Sequence, residues 1–213
     1  MTRSRLLSVV FLATVGAVAA FGQVSAVRSG SFEVGPFVGA SYGIDRFRVM
    51  GGGNVTYALK NKYVLPYFEY SYFPGIPRPL AGIIAGGGGT FTVAPLSTPL
   101  NDIHGGVHVR LPIFKESHIV PYLVFGMGVI NYPDRTAQVT FVPSPGAQPV
   151  TNPVPFPGGS DFTINGGGGL RYYIGGTGKF GFRAEAKVYK PVNGAFSNET
   201  IGKVEAGFFF QLR

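Results

Sequence analysis

Charged residues in this chain recur at alternate positions, as in Arg183, Glu185 and Lys187 and again in Lys203 and Glu205. Spacing by two puts side chains on one face of an extended strand, because successive residues point to opposite sides. Carried through the other alternating segments, the same register adds Glu33, Glu69, Asp102, Arg110 and Arg171, so that five acids share a face with five bases. Two chemistries are open to such a set. One is a wet path for ions or small solutes lined by both signs of charge. The other is a buried network in which each charge is neutralised by a neighbour, since an unpaired buried ion is costly.

Other reactive residue types make weaker patterns. His104 and His108 share a face, but four residues along a strand separate them by about 13 Å, too far for one metal ion. His118 stands beside Ser117 without the orienting group and oxyanion hole that a hydrolase needs. Glycine runs at 51–53, 86–89 and 166–169 precede neither a helix nor a Lys-Ser/Thr pair, so they are not phosphate loops. The chain has no cysteine, which excludes a disulfide framework, zinc knuckles and a thiol nucleophile. No catalytic, cofactor-binding or metal residue is assigned, no cofactor is expected, and the expectation is a protein that is not an enzyme.

The elements that would position the charged face are strands. Eight segments of alternating polarity, at about 31–42, 48–59, 63–73, 101–112, 119–131, 161–173, 180–190 and 200–212, end in turn residues, and no long helical pattern follows the amino terminus. Their length suits tilted strands that cross a bilayer, about 9–11 residues each. The links alternate: Lys60-Asn61-Lys62, Phe114–His118 and Gly175–Lys179 are short, whereas 74–100 and 132–160 are long and hold 12 of the 17 prolines. Short turns at one end and long loops at the other describe an up-and-down transmembrane barrel with periplasmic turns and extracellular loops. The fold class expected is therefore all-β, an eight-stranded antiparallel up-and-down transmembrane β-barrel.

Composition agrees. Only 13% of residues are charged, about half the share in soluble domains, while Gly and Phe are abundant. Arg3 and Arg5, the apolar run Leu6–Ala20 and Val24-Ser25-Ala26 read as a secretory signal peptide cleaved after Ala26, with an amino-terminal membrane anchor as the alternative. The domains expected are thus residues 1–26, a signal peptide, and 27–213, the barrel. Alternation alone leaves a soluble lipocalin-like barrel with an apolar lumen as the other reading. Three features favour the lipid-facing one: Gly35, Gly39, Gly126, Gly128, Gly167 and Gly169 on the polar face leave room for bulky charged neighbours, the charges there balance, and Phe32, Tyr42, Tyr72, Phe73, Tyr132, Phe162, Tyr172 and Phe180 gather near strand ends as an interfacial girdle.

With the leader removed, 16 of the 18 basic residues remain against 10 acidic ones. With both termini in the periplasm, the excess falls on the periplasmic rim, at Arg28, Lys60, Lys62, Lys115, Lys179 and Arg213 against Glu116, where it suits anionic lipid headgroups. Arg48 and Asp161 count with a nearly neutral outer rim. Nucleic acid would require a contiguous basic patch with exposed aromatics, and none is expected as a partner.

The carboxyl-terminal run Glu205-Ala206-Gly207-Phe208-Phe209-Phe210-Gln211-Leu212 resembles the assembly signal of small bacterial outer-membrane β-barrels, the OmpA/OmpX-like superfamily: a polar residue, then Gly207, then Phe208, Phe210 and Leu212 as the recurring hydrophobic positions. The family strand typically ends on an aromatic residue, where this one ends Leu212-Arg213. Val120-Pro121-Tyr122-Leu123-Val124-Phe125-Gly126 and Gly169-Leu170-Arg171-Tyr172-Tyr173 also look like the family. The resemblance implies a bacterial outer membrane location, lipids of that membrane and the barrel assembly machinery as partners, and an extracellular ligand for the long loops. The function expected is structural or interactive, with a largely filled polar lumen; a narrow channel or small-solute carrier is the alternative, and a lipid-modifying barrel enzyme a third reading.

Overall fold

The computed structural model describes residues 27–212 except 44–45, 76–77, 84–88, 97–98, 112, 114–117, 145, 175–177 and 195, so residues 1–26, expected as a signal peptide, and Arg213 lie outside the described residues. Twelve strands run in chain order: β1 (Phe32–Gly43), β2 (Arg46–Tyr57), β3 (Val64–Phe73), β4 (Arg78–Ile83), β5 (Thr90–Leu96), β6 (Leu100–Arg110), β7 (Ile119–Tyr132), β8 (Arg135–Val142), β9 (Val150–Phe156), β10 (Gly159–Ile174), β11 (Phe180–Pro191) and β12 (Ile201–Leu212). Eight of them close a barrel in the order β1-β12-β11-β10-β7-β6-β3-β2. These eight match the segments expected from alternation to within two residues at either end. Closure comes from β12 pairing antiparallel with β1, from Phe32↔Leu212 to Tyr42↔Gly202.

Period-two alternation sets the wall. In β11 every odd residue from Gly181 to Pro191 is buried and every even one exposed, and the same parity puts Phe182, Val188, Val204, Phe208 and Phe210 on the outside. Inward glycines are receptors for large rings. A Cβ on Gly52 would lie 2.5 Å from Cζ of Phe37, one on Gly169 2.6 Å from Cζ of Tyr122, and one on Gly181 2.7 Å from Cζ of Phe209. The narrow interior thus trades side-chain volume between neighbouring strands. Two residues expected in the aromatic girdle turn inward instead: Phe73 is buried in the interior, and Tyr132 donates its hydroxyl to Asp161 at 3.2 Å.

The segments expected as long loops are largely sheet. β4, β5, β8 and β9 form a second, four-stranded sheet, and it prolongs the barrel wall in register. Tyr132 faces Gly159 in the β7–β10 pair and, after two residues on each chain, Arg135 faces Phe156 in β8–β9, so no residue is gained or lost. Likewise Phe73↔Leu100 leads to Leu80↔Val93 across a bulge near Arg78, and Asn101↔Asn131 leads to Val93↔Val139. One side of the barrel therefore rises as a flap. Its faces differ: Val93 and Ala137 are buried on one, with Val150, Val154 and Phe156 beside them, while Thr90, Thr92, Thr136 and Gln138 lie exposed on the other.

Three of the prolines in these segments lie in the two edge strands, Pro79 in β4 and Pro153 and Pro155 in β9. Proline cannot donate to a ladder, so it blunts an edge against further pairing. The expected alternation of link lengths also changes: the β1–β2 link on the flap side spans only residues 44–45, shorter than 58–63 between β2 and β3 at the opposite, turn end.

Two pairs of substitutions report on the faces. Phe208→Arg puts a charge on the outward face near the middle of β12 and is expected to cost about 2–4 kcal/mol in a bilayer, read as a lower urea midpoint of the folded, heat-modifiable species in vesicles. Gly52→Val is expected to destabilise by about 1–3 kcal/mol through overpacking. Gly51→Val, whose Cβ would meet nothing nearer than 3.8 Å, is expected to stay near wild type; equal effects at 51 and 52 would overturn the inward assignment of Gly52.

Candidate functional site

The charged residues singled out by alternation converge in the lumen, where β3 and β11 stand on opposite sides of the eight-stranded ring, as do β6 and β12. Neighbouring strands bring like charges together: Glu185 faces Glu205 and Lys187 faces Lys203 across the β11–β12 ladder. Like charges directly opposite are destabilising; Glu205, 3.5 Å from Lys187 and 3.3 Å from Lys203, gives relief within the hairpin, and further relief comes from across the barrel. Glu69 on β3 supplies it, accepting from Lys187 Nζ at 2.7 Å and from Lys203 Nζ at 2.6 Å. Lys203 also reaches Ser71 Oγ at 2.6 Å and Asp102 at 3.3 Å. The two glutamates are held apart in charge by Arg183, 2.7 Å from Glu205, and by Lys187, 2.6 Å from Glu185.

Toward the turn end a second group continues the network. Arg171 Nε pairs with Glu33 at 2.9 Å, its Nη2 meets His108 Nδ1 at 2.5 Å, and its guanidinium lies 4.1 Å over the Tyr122 ring. Tyr122 donates to Glu185 at 2.8 Å, and Tyr173 donates to Glu33. His104 bridges Asp102 and Thr163. Glu33, Glu69, Asp102, Arg171, Arg183, Glu185, Lys187, Lys203 and Glu205 are all buried, whereas Arg110, on the same parity, is half-buried at the turn end of β6 and stands apart from them.

Apolar layers close both ends. At the turn end Val27, Ala58, Leu65, Val120, Tyr173 and Phe209 pack together. At the flap end the layer is Phe37, Met50, Phe73, Leu100, Ile130, Tyr189 and Ile201, with Tyr132 and Phe196 against it. Phe196 comes from the β11–β12 link, and its N–H donates to Asp161 at 2.6 Å, so this buried acid pins the link over the barrel end. Asp161 and Arg48, placed by the sequence on an outer rim, are buried inside instead. The signal was present in parity: Arg48 is in step with Met50, Asn54 and Thr56, and Asp161 with Thr163 and Asn165, but β2 and β10 begin two residues earlier than the alternation suggested.

Carboxylate oxygens of Glu69, Glu185 and Glu205 lie within 4.8 Å of one another, the spacing of a metal site. Lys187 contacts all three, at 2.7, 2.6 and 3.5 Å. The positive charge a metal ion would bring is thus already supplied by side chains, and the donor set does not fit one. Of the carboxyl-terminal positions, Phe208, Phe210 and Leu212 lie exposed on the outer face of the closing strand, and Gly207 sits against Phe37.

Neisserial surface protein A has a similar structure, with a TM-score of 0.50 at 10% identity over 85% of this chain and 97% of that one. The fold is that of an eight-stranded outer-membrane β-barrel. The N-terminal β-barrel domain of Pseudomonas aeruginosa OprF (TM-score 0.45, 17% identity, 85% of this chain and 98% of that one) and Ail of Yersinia pestis (0.45, 12%, 87% and 100%) are also similar. No protein-family model and no curated protein matches the chain.

A barrel of eight strands has an interior that side chains just fill, and here the filling is ionic. Glu69→Gln would remove the charge that Lys187 and Lys203 share across the lumen and leave them to Glu185, Glu205 and Asp102; breaking one member of a buried pair costs about 3–5 kcal/mol. The urea midpoint in vesicles is expected to fall accordingly, and Glu69→Gln combined with Lys203→Met is expected to recover part of the loss. A single variant as stable as wild type would show that the cross-lumen contact carries no weight.

Proposed function

We propose that this chain is a bacterial outer-membrane protein with a structural or interaction role, built as a sealed barrel that displays a four-stranded flap. The observation that carries this reading is the layering of the lumen. A charged, ion-paired middle packed between clusters of apolar side chains supports a filled lumen over a wet path. In this orientation the turns and both barrel termini face the periplasm, the flap faces outward, and residues 1–26 act as the secretory leader. Outer-membrane lipids cover the apolar coat, the assembly machinery reads the carboxyl-terminal strand, and an extracellular ligand meets the flap. The flap recruits through its faces, since prolines guard both edges.

The alternative, a narrow channel, rests on the same charges and is separated by planar-bilayer recording. No reproducible single-channel steps are expected from the purified, folded protein. Steps whose size changes in Arg183→Gln or Glu185→Gln would overturn the sealed-barrel reading in favour of the channel. Cell fractionation tests the location: the protein is expected with the outer membrane, with a gel mobility that shifts on boiling. A soluble protein whose mobility ignores heating would overturn the membrane reading.

A further inference from the structure

The outer side of the wall carries two apolar bands with a polar row between them. Tyr72, Asn101, Asn131 and Ser160 lie in one line across β3, β6, β7 and β10, and Tyr70 Oη donates to Asn101 at 2.7 Å and Ser160 Oγ to Asn131 at 2.5 Å. Below this line β7 runs through Ile119–Val129, eleven residues without a charge, the length of a tilted strand that crosses a bilayer. Above it the ladder enters the flap with no residue gained or lost, so the apolar face of the flap continues the lipid-facing side of the wall. Rows on that face read Phe91↔Phe141↔Val150 and Val93↔Val139. Val139 stands eight residues beyond Asn131, about 26 Å along the strand path and about 18 Å in height at a tilt of about 45°. Headgroups add only about 5–8 Å on each side of the hydrocarbon, so acyl chains do not reach this second band.

A sheet with one apolar face has to bury it against another layer, and among the described residues no second layer of strands covers this one. Val93 and Ala137 are buried, but Val150, Val154 and Phe156 are 49%, 37% and 39% exposed, so the β9 half is bare. Position and area decide the occupant. The face is in line with the lipid-facing wall, and its cover has to stand beside the barrel. Four strands by seven residues give about 19 Å by 23 Å, a footprint of about 440 Å², near half of the ~800 Å² that each partner gives to a stable complex. The rest has to come from the wall below, where Phe125 and Met127 are exposed and Gly105, paired with Met127, leaves a hollow beside it. An occupant therefore needs one apolar band in the bilayer and another at the same height above it. A second copy of this chain has both. A two-fold axis along the membrane normal crosses the facing sheets at twice the strand tilt, about 70–90° for a tilt of about 35–45°, close to the orthogonal class of sheet packing. We propose that the apolar face of the flap is the interface of a homodimer, two copies standing side by side in the membrane with their flaps closed into two layers and the threonine face of each left free for a ligand. This rests on the outer-membrane reading above.

The chain contains no Cys, so single-cysteine variants of the full protein report cleanly under oxidant, both in cells and in vesicles with lipid in large excess. Of Phe91→Cys, Val139→Cys and Val154→Cys on the apolar face, at least one is expected to form a disulfide-linked dimer, whereas Thr92→Cys and Gln138→Cys on the opposite face are expected to form none. Adding Phe141→Asp or Phe156→Asp is expected to abolish the dimer while the shift of gel mobility on boiling persists. Equal linkage from both faces would mark random collision and overturn the interface. No linkage from the apolar face in a barrel that keeps its heat shift would overturn it too, as would linkage in cells to a different chain and not between copies. A dimer that survives both aspartate variants would mean that another surface holds the copies together, and it would equally overturn the proposal. A soluble product whose mobility ignores heating would overturn the membrane reading instead.

Discussion

Two buried lysines face each other on neighbouring strands, and the rest of the interior is arranged around neutralising them. Lys187 and Lys203 are opposed across β11–β12, as are Glu185 and Glu205 one step along the same ladder. In a medium of low dielectric such pairs repel far more strongly than at a surface. The answer is a carboxylate from the opposite wall, Glu69, shared by both ammonium groups. A cross-lumen tie of this kind holds only if strands on opposite sides keep a fixed separation. The inward glycines that admit Phe37, Tyr122 and Phe209 serve that end, because they let large rings fill the lumen without pushing the walls apart. Apolar clusters toward either end pack against the same network.

The outside obeys the inverse rule with the same backbone. Alternation gives each strand one charged or small face and one apolar face, so the chain has little charge for its length because much of it is hidden. Where the wall rises beyond the barrel, the alternation persists but no lumen remains to receive the inward side. Thr90, Thr92, Thr136 and Gln138 replace charged residues there, while Val93, Ala137, Val150, Val154 and Phe156 keep the other face apolar. Prolines on both edges complete the change from closed wall to free-standing flap, since an open sheet has edges that a closed barrel lacks.

Much of this was legible in the sequence, and the reasons differ by element. Strand positions and the inward charges could be read because period two is a strong signal and each face meets one solvent throughout. Arg183, Glu185, Lys187, Lys203 and Glu205 follow directly from it. Arg48 and Asp161 were misassigned because a charged residue at a strand end looks like loop, and only extension of the ladder shows that it points inward. The flap was hidden for a related reason: Pro79, Pro153 and Pro155 read as loop, whereas an edge strand tolerates proline at positions that owe no hydrogen bond. Partners across the lumen were beyond reach, since Glu69 and Lys187 are joined by closure of the whole ring and by nothing local.

That last point bears on how the register is chosen. Taken alone, β11 and β12 would pair their charges better after a slip of two residues, which would set Arg183 opposite Glu205 and Glu185 opposite Lys203 while keeping every side chain on its own face. The native register instead opposes Glu185 to Glu205 and Lys187 to Lys203. A one-residue slip is forbidden by the exchange of lumen and lipid faces, but the two-residue slip is not. What excludes it is Glu69, which requires both lysines at one level, together with the Phe182–Phe208 and Phe209–Gly181 contacts that depend on the same alignment. In the native register Glu205 keeps diagonal contacts with Arg183, Lys187 and Lys203 within the hairpin while Glu69 meets both lysines from the opposite wall, so the buried charges fit this alignment locally and across the lumen at once.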